Sequence, residues 1–141
     1  MKKHISLLAL LVITICQLFA EPIDTTLAKR VATRFYLSRV ATSTIREQDI
    51  AIAHVESVRP ASARSSISVY YIYNVGNGFV IVSADDRVEP ILGYSTEGNF
   101  NMEDIPETMH EWLNNYTRAI EQIISNPEIT NQETARKWRA I

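Results

Sequence analysis

Two apolar runs facing each other across a glycine-rich break form the clearest pattern along the chain. The first, residues 69–74, is dominated by aromatic and β-branched residues, which suit a half-buried pleated surface. Strand alternation assigns Val69, Tyr71 and Tyr73 to one side, Tyr70 and Ile72 to the other. The second, Phe79-Val80-Ile81-Val82, has no polar alternation, the mark of a central strand covered on both faces. Gly76-Asn77-Gly78 offers the positive φ angles of a tight hairpin turn. A third run, Ile91-Leu92-Gly93-Tyr94, follows a polar turn, and Pro90 suits the start of a strand, where no ladder donor is missed.

Helical periodicity flanks this centre. Leu27, Val31 and Phe35 recur at spacings of four, with Ala28 and Ala32 widening the face, behind the capping types Asp24, Thr25 and Thr26. They predict a helix over 26–40 whose Lys29, Arg30, Arg34 and Arg39 form a solvated face. Residues 41–48 read as a polar connection, 50–58 as a loosely alternating strand and 59–68 as a mobile loop around Pro60. Asp104 and Pro106 open the longest helix, over 105–125. Its stripe is Ile105, Met109, Trp112, Leu113, Tyr116, Ile120, Ile123 and Ile124; Glu107 and Glu111 suit the positive end of its dipole. Asn126-Pro127 ends it. Thr130 and Glu133 have capping-box spacing before a short terminal helix that carries Trp138. The fold class is α+β: an antiparallel sheet of three to four strands (50–58, 69–74, 78–83, 91–95) with helices packed on it.

The N-terminus changes the domain picture. Lys2 and Lys3 precede an apolar run over 5–19, and the small Ala20 stands before Glu21-Pro22, the pattern of a secretory signal peptide. A lipoprotein signal ending at Cys16 is the weaker alternative, because bulky Ile15 precedes it. The expected organisation is a signal peptide over 1–20, one domain over 21–128 and a C-terminal tail over 129–141. Export would deliver the protein to the periplasm or medium. Of 14 basic residues, 12 remain after Lys2 and Lys3 are removed, against 16 acidic ones, a net charge of about −4. Nothing there attracts nucleic acid or an anionic membrane. The single cysteine leaves with the signal, so the mature chain has no thiol nucleophile and relies on its core, as a 46% hydrophobic content allows.

Catalytic equipment is sparse. His110-Glu111 begins like a zinc-protease helix motif, but position 114 is asparagine, and His54 is isolated from it in sequence. Neither a metal nor another cofactor is expected. Adjacent Asp85 and Asp86 in a turn serve backbone hydrogen bonds more readily than calcium or acid–base chemistry. Ser83 lacks a nucleophile elbow. Tyr70, Tyr71 and Tyr73 would make a stacking platform only with basic neighbours. Asn115-Tyr116-Thr117 matches a glycosylation pattern inside a predicted helix and is discounted. On chemistry alone the chain is a small secreted α+β domain, not an enzyme.

The ordered series Gly78-Phe79-Val80-Ile81-Val82-Ser83, Asp85-Asp86, Pro90-Ile91-Leu92-Gly93-Tyr94-Ser95, then Gly98 and Phe100, is more specific than any one hexapeptide. Followed by a helix with Trp112-Leu113 and Tyr116, it resembles the propeptide of streptopain-type cysteine proteases and the related small inhibitors of the Spi family. The match is good over 69–124 and holds only in pattern upstream. The resemblance implies an α+β domain that binds a papain-fold cysteine protease and keeps it inactive. In such propeptides a loop enters the active site and holds the catalytic histidine away from its cysteine. By position the loop here is Asn99, Phe100, Asn101, Met102, Glu103, Asp104, Ile105, Pro106, Glu107 and Thr108. The carry-over is of a segment, because Met102-Glu103-Asp104 has no residue-by-residue match. With no catalytic domain after Trp138, the expectation is a free-standing inhibitor, monomeric when free, acting on a secreted or periplasmic streptopain-like protease. The competing readings are a detached prodomain that assists folding, the remnant of a truncated precursor, and a non-inhibitory binding module.

Overall fold

The computed structural model describes residues 22–41 and 44–141; the signal-like segment 1–20 lies outside the described residues. Four strands, β1 (Ile50–Val58), β2 (Ile67–Val75), β3 (Gly78–Ser83) and β4 (Ile91–Ser95), form one antiparallel sheet in chain order. Helix α1 (Thr25–Leu37) covers one face and α2 (Glu107–Ser125) the other, and α3 (Gln132–Arg139) closes the chain. The α+β reading holds, with four strands.

The apolar run in β3 is central, between β2 and β4, and each of its faces has its own core. Val80 and Val82 join Tyr71, Tyr73 and Val75 beneath Val31, Ala32 and Tyr36 of α1. Ile81 joins Tyr70, Ile72 and Leu92 beneath Leu113 and Ile120 of α2, with Phe79 packed alongside. Burial on both faces is what an uninterrupted apolar strand requires.

Three local details differ from expectation. Val69 packs with Tyr70 and Ile72 on the α2 side instead of with Tyr71. The β1–β2 register explains it: Glu56 pairs with Tyr70 and Ser57 with Ser68, so Val69 is an extra residue that interrupts the alternation. The bulge also lets β2 begin at Ile67, paired with Val58, within the predicted loop. In the hairpin, only Gly76 has positive φ, at 59°; Asn77 and Gly78 do not. A positive angle at the first turn position alone is the II′ pattern. Gly78 is glycine for another reason: a Cβ there would lie 2.1 Å from the Ser95 carbonyl oxygen and 2.8 Å from the Tyr36 ring.

The helix ends also shift. Asp24 caps α1 by accepting the Leu27 N–H at 2.7 Å. The helix stops at Leu37, short of 40, because the Ser38 N–H returns to the Arg34 and Phe35 carbonyls and its hydroxyl donates to Phe35 O. Helix α2 begins at Glu107 with Pro106 at its N-cap, not at 105, because the Asp104 carboxylate is engaged by the Asn101 amide. Asn131, not Thr130, caps α3, accepting from the Glu133 and Thr134 N–H groups. Trp138 then packs against the α1-side core and donates its indole N–H to Val88 O at 2.8 Å.

Candidate functional site

The segment 99–108 leaves β4 through the Gly98 turn and delivers the chain to α2. Its root is fixed by Phe100, only 4% exposed, whose ring meets Phe79 edge-on at 5.5 Å. Asn74, near the end of β2, grips the Phe100 backbone at both groups. Its Oδ1 accepts the Phe100 N–H at 2.7 Å, and its Nδ2 donates to the Phe100 carbonyl at 3.1 Å. Beyond the root, Asn101 builds a turn: its Oδ1 accepts the Glu103 N–H, its amide donates to Asp104 Oδ2 at 2.6 Å, and its carbonyl accepts the Asp104 N–H. Met102 and Ile105 lean back onto the α2-side core. Asn99, Asn101, Glu103, Asp104, Pro106, Glu107 and Thr108 remain exposed. The predicted segment is therefore a ridge of polar tips held down by three apolar side chains.

Beside the ridge lies an open groove of about 450 Å³, lined by Phe79, Ile81, Gly93, Tyr94, Thr108, Met109 and Trp112. Gly93 forms its floor, since a Cβ there would lie 3.0 Å from the Trp112 ring. Trp112 stacks edge-on with Tyr116 at 4.5 Å yet stays 37% exposed, and Tyr94 is 46% exposed. Tyr94 meets Phe35 edge-on at 4.9 Å, with the Arg39 guanidinium over both rings. Glu103, Asp104 and Glu107 have no cationic partner among the described residues, so the ridge presents negative charge.

The remaining motif residues build the scaffold under this surface. Asp85 is buried and pairs with Arg87 through Oδ2···Nη2 at 2.7 Å and Oδ1···Nε at 2.9 Å, while Oδ1 also accepts the Arg87 N–H. The backbone role expected for a turn aspartate is present; the ion pair was not anticipated. The bonds from Asp85 hold the Arg87 guanidinium above its ordinary pKa. Arg87 also donates to Asn126 O, tying this turn to the end of α2. Asp86 is half-buried beside it. Pro90 is buried and its carbonyl accepts the Ser83 N–H; Ile91 packs toward α1. His54 bonds Glu56 at 3.0 Å in β1. Asn115 is exposed on α2 and accepts from Arg118. Among the described residues no three His, Cys, Asp or Glu side chains gather as a metal site, and no helix is long and apolar enough to cross a membrane. Sequence reasoning missed Asn74, whose signal was a lone amide in an apolar strand.

Among the described residues, a helix-covered antiparallel sheet thus presents an anchored loop beside an aromatic groove. The chain belongs to the family described as Spi protease inhibitor, which matches residues 20–120. It is thus an inhibitor or propeptide domain related to cysteine protease precursors, and the family's described role is inhibition, not catalysis. It is similar to the thiol protease/hemagglutinin PrtT of Porphyromonas gingivalis, with 29% identity over 122 residues, 85% of this chain and 14% of that protein. Streptopain of Streptococcus pyogenes is 42% identical over 60 residues, 42% of this chain and again 14% of the relative. The chain spans about a seventh of the length of these curated relatives. No solved structure matches it.

Proposed function

We propose that this domain inhibits a streptopain-type cysteine protease by seating the ridge 99–108 in the enzyme's active-site cleft. The observation that carries the reading is the double anchoring of that ridge, by Phe100 with Asn74 at its root and by Met102 and Ile105 along its length. A loop already held in one shape loses less entropy on binding. The adjoining groove adds Trp112 and Tyr94, residue types that dominate binding energy at interfaces. Ridge and groove together suit an interface of about 1,600 Å² in total. The ridge excludes substrate and keeps the protease histidine from its cysteine; this chain breaks no bond.

Titrating the domain into active streptopain tests the proposal: activity should fall near-stoichiometrically, and no loss at micromolar domain refutes it. Replacing residues 101–105 by a glycine-serine segment of equal length should abolish inhibition while the core still unfolds cooperatively. Undiminished inhibition would move the site elsewhere. The relation to cysteine protease precursors supports a second reading, a pro-segment that also assists folding. Refolding streptopain's catalytic domain with and without this domain tests it through the yield of active enzyme. Export is part of the proposal, with cleavage after Ala20, and an intact mass beginning at Glu21 is the expected result.

A further inference from the structure

We infer that Asn74 is the positioning residue of the inhibitory ridge: its side-chain amide, not the turn sequence, sets where and how rigidly the segment leaves the sheet. The inference rests on the reading of 99–108 as the inhibitory element. Asparagine is depleted in strands, and β2 is otherwise an apolar and aromatic run over 69–75. Its own backbone gives no reason for an amide, because position 74 is paired on both sides, with Ala51 and with Phe79.

What the amide does is complete a short pseudo-strand. The Phe100 N–H and C=O are carried by a residue that is 4% exposed, so each needs a partner inside the protein. Among the described residues neither has a backbone partner, and Asn74 supplies an acceptor to one and a donor to the other. An N–H only donates and a carbonyl only accepts, so the pair dictates the orientation of the amide. No other side chain of similar size offers both functions in that geometry; aspartate lacks the donor and leucine lacks both. The Phe79–Phe100 contact fixes the ring of Phe100, whereas Asn74 fixes its peptide, and the peptide determines the direction of Asn101 and the turn after it.

The test combines two readouts on the full chain carrying Asn74→Leu and, as the milder variant, Asn74→Asp. Hydrogen exchange should show the Phe100 to Asp104 amides opening about 10- to 100-fold faster in Asn74→Leu, the loss of two net hydrogen bonds, while β3 amides keep their protection. Asn74→Asp, which retains the acceptor, should fall between it and wild type. Against active streptopain the inhibition constant should rise by about tenfold or more in the same order. Unchanged exchange at the root overturns the inference. So does faster exchange with undiminished inhibition, because the grip would then not serve the site. Loss of β3 protection in both variants would make Asn74 a residue of global stability and overturn it equally. A wild-type domain that does not inhibit refutes the underlying functional reading, whatever the exchange pattern.

Discussion

Replacing Gly78 by alanine is the sharpest test of the sheet geometry. The added methyl would sit 2.1 Å from the Ser95 carbonyl oxygen and 2.8 Å from Tyr36 Cε2. A comfortable carbon–oxygen approach is about 3.3–3.6 Å, so β4 has to retreat by more than about 1 Å. The obstacle is backbone, so rotating a side chain does not relieve it. Retreat breaks one or two ladder bonds around the Phe79–Ser95 pair, about 1 kcal/mol net each. Displacing the Tyr36 ring inside its core adds about 1–3 kcal/mol of overpacking. The expected loss is about 2–5 kcal/mol, a large share of the roughly 5–15 kcal/mol that stabilises a domain. Urea unfolding followed by tryptophan fluorescence measures it, with the slope checked for two-state behaviour. Gly98→Ala is the control: its φ is +76° but no atom lies within 4 Å of the new Cβ. It should cost only the conformational strain, about 1–2 kcal/mol. Equal losses at the two positions, or a loss within about 1 kcal/mol at Gly78, would refute close approach as the reason for that glycine.

Further outcomes follow from the buried polar groups. Burial pushes the Tyr70 and Tyr73 phenols up to about 12, above the usual value near 10, so their stability is fully present below pH 10. It is lost as pH rises from about 10 to about 12, because the unfolded chain releases these protons first. Urea unfolding between pH 8 and 11.5 should show that decline, and Tyr70→Phe should make it shallower; an unchanged slope counts against it. Asp85→Asn leaves Arg87 about a tenth exposed beside a neutral amide and should cost about 2–4 kcal/mol, whereas Glu89→Ala at the exposed pair with Lys137 should cost less than about 1 kcal/mol; thermal melts separate the two. Trp138→Phe removes the donor to Val88 O and should cost about 1 kcal/mol, read as a small drop in melting temperature with inhibition unchanged.

The parts of this fold visible in sequence are those set by side-chain periodicity. The uninterrupted run Phe79 to Val82 announces a strand with two covered faces, and the stripe from Met109 to Ile124 announces a helix, because burial selects those residues one by one. What escaped depends on distant parts of the chain. The bulge at Val69 is decided by its pairing with β1, the crowding at Gly78 by β4 and α1, and the cap of α2 by Asn101 claiming Asp104. The candidate segment came from the family resemblance, placed by its position between the last strand and the Trp112 helix. That Phe100 is an anchor rather than a tip, and that Asn74 holds it, required knowing what stands across 26 residues of sequence.

Because the strands lie in chain order, each meets a partner that precedes or follows it immediately, and no crossover has to be threaded. The cost of closing a loop rises with its length, and topologies built from near neighbours assemble rapidly. The hairpin of β2 and β3, closed by a two-residue turn, can nucleate first and recruit β1 and β4 from either flank. A sheet that grows outward from neighbouring strands spends little time with unpaired edges exposed, so its hazard of pairing with another copy is short-lived.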